Sequence, residues 1–303
     1  MKFLIASIFS CFFLLSATSH AKKKFKVIGY QAAWGSIEHL DYAKLTHINY
    51  SFAQPHPDGS LKPLPNPEKL KQIVKQAHQH KVKVGIAVGG WNKGDDSAFE
   101  KFASTVEGRA KFIKEVMKLV KTYKLDGVDM DWEYPDQGKS AIHFAALMTE
   151  LSVELKKEKK FLSTAVVSYG KTGEGISKEV FAHIDMLNIM AYDGKDHGSY
   201  EQAVKSIHYW KQRGCPAEKV ILGLPFYGRS PYMSYKALLA KDPAAHSKDL
   251  VGEIHYNGTA MIQKKTKLAL ISCGGVMIWE LSQDANQLNA KHSLLKAIDE
   301  VVK

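Results

Sequence analysis

Four acids fall within eight residues of this chain, in the segment Leu125-Asp126-Gly127-Val128-Asp129-Met130-Asp131-Trp132-Glu133-Tyr134-Pro135. On a strand, side chains alternate between faces, so Asp129, Asp131 and Glu133 point one way and Met130 and Trp132 the other. Three acids on one face build a core poorly, because like charges repel and a buried carboxylate must be paired or protonated. Such crowding raises at least one pKa, which suits a proton donor near neutral pH. Two other readings use the same residues: a solvated edge strand with acidic decoration, and a metal site. There is no His-Glu-x-x-His and no histidine cluster, so neither a metal nor a cofactor is expected.

Acids placed this way need a scaffold. Strand-like runs occur at Lys26–Ala32, Leu45–Phe52, Val82–Val88, Gly127–Glu133, Leu162–Ser168, Met186–Ala191, Val220–Pro225 and Gly275–Glu280. Amphipathic helical patterns separate several of them. Leu70, Ile73, Val74 and Ala77 make one apolar stripe, and Phe112, Ile113, Val116, Met117 and Val120 another. Asn66-Pro67 reads as an N-cap followed by proline at the first helical position. Eight strands alternating with helices predict a parallel (β/α)₈ TIM barrel, which uses roughly 250 residues as one domain. The 303 residues, 45% of them apolar, are enough for it. Glu133 then lies at the C-terminal strand end, where barrel enzymes carry their chemistry. An open doubly wound sheet is the alternative, but no Gly-x-Gly-x-x-Gly follows the first strand. Residues Ser230–Ser272 read as an extended loop with one helical pattern, Thr259–Leu270.

The N-terminus stands apart from this pattern. Met1-Lys2, the apolar run Phe3 to Leu15 and the small residues Ser19 and Ala21 read as a secretory signal peptide over 1–21, leaving 22–303 as one barrel domain. A membrane anchor is the other reading, but the run is short for a span and Lys22-Lys23-Lys24 follow it. A secreted or periplasmic protein, with no membrane attachment after cleavage, is expected. Cys215 and Cys273 then remain, too few for a disulfide framework, and free thiols are expected. The formal charge of +11 raises nucleic acid as a partner, yet the lysines are spread along helix faces (Lys69, Lys71, Lys75; Lys111, Lys114, Lys118, Lys121). A solvated basic surface and a monomer without nucleic acid are expected.

The acid segment resembles the Asp-x-x-Asp-x-Asp-x-Glu signature of family 18 glycoside hydrolases, and Trp132-Glu133-Tyr134-Pro135 resembles that of its chitinases. The likeness runs along the chain. Ala87-Val88-Gly89-Gly90-Trp91 resembles the family's Ser-x-Gly-Gly segment, Met190-Ala191-Tyr192-Asp193 its Met-x-Tyr-Asp, Gly223 to Arg229 its seventh-strand motif, and Gly274 to Trp279 its last strand. The resemblance implies a small catalytic barrel, without the family's large insertion domain or a chitin-binding module, acting on chitin or chito-oligosaccharides. It implies Glu133 as the acid and Asp131 as the residue that holds and stabilises the substrate's N-acetyl group. Tyr192 would steady the acetamide oxygen, and Asp129, deeper in the barrel, would share charge with Asp131. Asp126 and Gly89 belong to the structural motif. Substrate contacts are expected from Gly90, Asp193 and the aromatics Tyr30, Phe52, Trp91, Tyr227 and Trp279, whose faces stack on the C–H faces of sugars. Met190 reads equally as site lining or core. Arg229 reads as a partner of the sugar or of a carboxylate. Trp34, Trp132 and Trp210 are left as core or surface.

Two features depart from the family pattern. Ala87 stands where the family has serine, which removes a hydroxyl expected near Asp129. Only about forty residues separate the seventh and eighth strands, which implies a shallow, open groove. Two other activities fit the same resemblance: an endo-β-N-acetylglucosaminidase acting on N-glycans or peptidoglycan, and a non-catalytic chitin-binding lectin.

Overall fold

The computed structural model describes residues 25–303, and the leader expected over 1–21 lies outside the described residues. Eight strands close a barrel: β1 Lys26–Ala32, β2 His47–Ala53, β3 Lys83–Gly89, β4 Gly127–Asp131, β5 Phe161–Val167, β6 Met186–Met190, β7 Val220–Pro225 and β8 Gly275–Trp279. Each pairs in parallel with its neighbours in sequence, and β8 closes on β1 from Lys26↔Gly275 to Gly29↔Ile278. The eight-stranded TIM barrel read from the sequence is the fold. One boundary matters for chemistry. β4 stops at Asp131, so Trp132 and Glu133 belong to the strand-to-helix turn.

The alternation of each strand sorts its residues into two apolar layers. Outward residues such as Val27, Ile48, Val84, Val128, Leu187 and Val276 are buried against the helices. Inward ones such as Ile28, Tyr30, Phe161, Met186, Ile221 and Met277 fill the barrel. The helices are α1 Pro67–Gln79, α2 Ser97–Ala103, α3 Val106–Tyr123, α4 Lys139–Lys157, α5 Val180–His183, α6 Tyr200–Gln212, α7 Tyr235–Lys241, α8 Thr259–Ser272 and α9 Leu294–Val302. In α3 the apolar stripe from Phe112 to Val120 is buried, and each such side chain contributes about 1.5–3 kcal/mol. The Thr105 hydroxyl caps α3 by accepting from the Gly108 N–H at 3.0 Å, and Lys124, in the left-handed region, ends it. Asn66 does not cap α1 as its sequence position suggests. Its own backbone is left-handed, and its amide turns away to donate to the Ala33 carbonyl at 2.8 Å.

At the N-terminal end of the barrel, Asp126 accepts from the Val84 N–H at 2.8 Å and meets His78 at 2.8 Å. It ties β3 to β4 far from the strand tips, a structural part. The stretch between β7 and β8 is more ordered than the loop expected there. Tyr227–Gly228 pairs with Met233–Ser234, Leu250–Val251 with Ile254–His255, and α7 and α8 follow each pair. Tyr235, Leu238, Ile254 and Tyr256 bury this segment in the same apolar layer that joins barrel and helices. Cys215 and Cys273 are both free, Cys215 buried and Cys273 half-buried.

Candidate active site

The C-terminal strand ends surround a cleft with a cavity volume of about 740 Å³. Glu133, Asp131, Tyr192, Tyr30, Phe52 and Trp91 line it, together with Met190, Asp193, Tyr227, Arg229, Trp279 and the Gly89-Gly90 pair. Every site residue expected from the sequence is therefore gathered there except Asp129, which lies beneath, and Asp126, at the other end of the barrel.

The backbone at the tip of β3 can be built only from glycine. The Gly90 N–H donates to the Asp131 carbonyl at 2.8 Å. A Cβ on Gly89, whose φ is +114°, would sit 2.2 Å from that same carbonyl oxygen, and one on Gly90, at φ +86°, 2.7 Å from the Phe52 ring. The pair brings β3 close enough to β4 to fix where Asp131 stands.

Asp129 is fully buried and well supplied with donors. Tyr30 Oη donates to Oδ2 at 2.6 Å, while Ser163 Oγ at 2.6 Å and Asn188 Nδ2 at 2.9 Å donate to Oδ1. The hydroxyl absent at Ala87 is thus matched by donors from β1, β5 and β6. Tyr30, expected to touch substrate, gives its hydroxyl to Asp129 and sets its ring edge-on to Trp279, 5.8 Å between centroids. Asp131, one inward position higher, is also buried, but its Oδ1 has no hydrogen-bond partner. The Tyr192 hydroxyl meets only the Met277 sulfur, at 3.8 Å, which leaves a strong donor at the cleft floor without a strong acceptor. Asp193 accepts from Tyr227 Oη at 2.6 Å and pairs with Arg229 Nε at 2.7 Å, so Arg229 serves a carboxylate.

Aromatic faces shape the rest. Trp279 stacks on Phe52 at 5.6 Å and 28°. Trp91 is 60% exposed at one rim. Trp34, left open by the sequence, lines the cleft at 69% exposure, and Tyr232 faces it from the β7–β8 segment. Trp132 instead packs outside the barrel on Phe99, with its indole N–H on Asp96 at 2.8 Å, and Trp210 is fully buried. Met190 is half-buried in the cleft lining. Sequence reasoning missed Trp34, Tyr232 and Tyr134. Only Tyr134 carried a signal, its place directly after Glu133.

The model of glycosyl hydrolases family 18 matches residues 26–284. The chain belongs to glycosyl hydrolases family 18. Its matched stretch is 32% identical to "Probable chitinase 2" of Drosophila melanogaster, over 64% of this chain and 47% of that protein, so the chain spans about half the length of this curated relative. Among solved structures it resembles the GH18 chitinase ChiB from the chitin utilization locus of Flavobacterium johnsoniae, at 29% identity and a TM-score of 0.82, covering 92% of this chain and 94% of the other. A chitinase from Bacteroides thetaiotaomicron gives 28% identity and 0.83 over 92% and 96%.

Electrostatics divide the family 18 acids. Burial pushes the Glu133 carboxyl up to about 7, with the charge of Asp193 adding to it and a hydrogen bond from Tyr134 opposing. Asp131 is pushed well above the usual carboxylate range, first by burial and then by Glu133 and Asp129. Burial raises Asp129 as well, but Ser163, Tyr30 and Asn188 all oppose the rise by stabilising its anion. Asp131 and Glu133 interact, burial pushing both toward the protonated form, so their titration belongs to the pair.

Proposed function

We propose that the protein hydrolyses β-1,4 bonds between N-acetylglucosamine units of chitin or chito-oligosaccharides, with retention, using the substrate's own acetamide as nucleophile. The observation that carries this reading is the pairing of a protonatable Glu133 with an orphaned Asp131 oxygen in a cleft that spares no second carboxylate. Asp193 is committed to Arg229 and Tyr227, and Asp129 lies below under three donors.

The chemistry follows from those positions. Glu133 gives its proton to the glycosidic oxygen as the bond from that oxygen to the anomeric carbon breaks. The acetamide carbonyl oxygen attacks the same carbon and forms a cyclic oxazolinium. Asp131 accepts the acetamide N–H, Tyr192 donates to the acetamide oxygen, and the carboxylate left on Glu133 balances the charge of the cation. Water then attacks the anomeric carbon from the side the leaving sugar vacated, and the bond from that carbon to the oxazolinium oxygen breaks to restore the acetamide. Glu133, now ionised, takes its proton, so configuration is retained and the acid is restored. This route departs from the two-carboxylate scheme of most glycosidases. Aromatic faces at Trp279, Trp91 and Trp34 suit an uncharged polymer.

Glu133→Gln keeps shape and removes the proton. Turnover of chitotetraose should fall by about 10²–10⁴ with binding retained, and a rate near that of the unaltered protein would refute the assignment. A fully deacetylated tetramer should not be cleaved, and equal rates on both tetramers would require a protein nucleophile. Export with removal of residues 1–21 belongs to the same reading and rests on the basic, apolar and small-residue pattern of that stretch. N-terminal sequencing of the exported protein should begin at Lys22, and an intact Met1 in the cytosol would contradict it.

A further inference from the structure

Lys265, on the inner face of α8, is fully buried, and its ammonium contacts two neutral oxygens: the Gly198 carbonyl and Asn257 Oδ1, the latter at 2.7 Å. Burying a lysine without a carboxylate against it is costly. Burial pushes the amine down to about 7, against the attraction of the more distant Asp249 and Glu201. A methionine would fill the same volume without that cost, so the contacts themselves call for an account.

They lead to the cleft in a short chain of hydrogen bonds. Asn257 Nδ2 also donates to the Gly198 carbonyl, at 2.7 Å. The Gly198 N–H donates to Gln202 Oε1 at 3.0 Å, and Gln202 Nε2 donates to the Asp193 carbonyl at 3.0 Å. His197, next to Gly198, accepts from the Asp193 N–H at Nδ1, 3.0 Å, while Nε2 donates to the Tyr227 carbonyl at 3.1 Å. That arrangement needs the neutral imidazole, and burial holds the His197 pKa below its ordinary value. Both backbone groups of Asp193 are thus tied down through residues 197–202. Asp193 needs such ties, because its φ of +64° is a conformation that a non-glycine residue rarely holds unaided.

We propose that Lys265 is a positioning residue: by clamping the Gly198 carbonyl together with Asn257, it holds the β6–α6 loop so that the Asp193 carboxylate stays on Tyr227 and Arg229, within reach of Glu133. Two stretches distant in sequence meet at this clamp: the β7–β8 segment, through Asn257 and α8, and the loop after β6. The proposal rests on the reading of Glu133 as the acid. It adds that the charge of Asp193, one cause of the raised Glu133 pKa, is kept in place from the outer layer of the barrel.

The test compares Lys265→Met, which removes the donors, with Lys265→Gln, which keeps two N–H donors without charge. In Lys265→Met, kcat/KM on chitotetraose should fall by about 10- to 100-fold, as for other small displacements of a reacting group. The basic limb of its pH profile should move to lower pH. The charged or titratable groups around Glu133 are Asp131, Asp193, Tyr134 and Tyr192, and of these Asp193 is the one whose backbone is tied to the clamp. Lys265→Gln should restore most of both quantities. The Glu133 carboxyl, followed by ¹³C NMR, should titrate at lower pH in Lys265→Met than in the unaltered protein. That measurement needs no turnover, so it decides the clamp even if Glu133→Gln shows another residue to be the acid. An unmoved limb and an unmoved titration, with or without a loss of rate, would make Lys265 a packing residue and overturn the proposal. If Lys265→Met does not fold, Asn257→Ala removes the other half of the clamp. The same downward displacement is expected from it, and an unmoved titration would overturn the proposal equally.

Discussion

Asp129 and Asp131 stand two residues apart on β4, face the same side and are both buried, yet their surroundings oppose each other. Asp129 receives three hydrogen bonds from three strands, while one oxygen of Asp131 receives none. Burial lifts the pKa of the lower acid, and its three donors restrain that rise by stabilising the anion. The upper acid is left with an unpartnered oxygen, the place that the proposed mechanism gives to the acetamide N–H. A buried polar atom without a partner costs about 1–3 kcal/mol, a cost that a bound donor would remove. The same element therefore holds a well-served carboxyl and an underserved one, told apart by neighbours and not by residue type.

The sharpest way to break this contrast is to replace each acid by its amide. Asp131→Asn should lower kcat by about 10²–10³, the usual loss for one group that stabilises transition-state charge, with thermal stability held or raised. Asp129→Asn should do the reverse: a smaller loss of rate, and a loss of stability of about 1–3 kcal/mol as an N–H₂ turns against one of its three donors. Melting curves and chitotetraose kinetics on both variants decide it, and matching behaviour would erase the distinction.

A second test concerns Glu133, whose folded pKa of about 7 lies above its ordinary 4.5. The folded protein binds that proton more tightly than the unfolded chain does. Stability from this group is therefore complete below about pH 4.5 and is lost as pH rises through 7. Glu133→Gln escapes the loss. Its unfolding free energy should gain on that of the unaltered protein between pH 4.5 and 7.5, by up to about 3 kcal/mol at 1.36 kcal/mol per pKa unit. A difference independent of pH would show that Glu133 is not held protonated by the fold.

Much of this was legible in the sequence, and the limits are physical. The eight strands showed because each carries both an outward and an inward apolar layer, and their register kept Asp129 and Asp131 on one face. Glu133 was legible as an acid at a strand tip although β4 ends before it. The donors to Asp129 were not legible. Ser163 and Asn188 are ordinary polar residues in apolar strands, and only barrel closure carries them to β4. Trp34 and Tyr232 lie in loops, where no periodicity tells a platform from a core residue. The seven residues of α7 are too few to show a helical stripe. Asn66 read as a cap because residue type suggests it, but its left-handed backbone sends the amide elsewhere.

The smallest expected effect belongs to Ala87. A serine there would normally hand a hydroxyl to the lower acid, and one such bond to a carboxylate is about 1.5–3 kcal/mol. Asp129 already has its donors, so Ala87→Ser should leave the pH dependence of kcat/KM between pH 3 and 9 superimposable on that of the unaltered protein. An acidic limb displaced to lower pH would show that Asp129 is less well served than its three contacts indicate.

Trp34 and Trp91 both line the cleft and keep wide apolar faces in water. A neutral sugar chain laid across them removes that surface from solvent without neutralising any charge. Association should therefore carry a negative heat-capacity change, its enthalpy growing more favourable on warming. It should also be indifferent to ionic strength, despite the +11 charge of the chain. The basic exterior and the aromatic cleft would then respond to separate features of the medium, salt for one and temperature for the other.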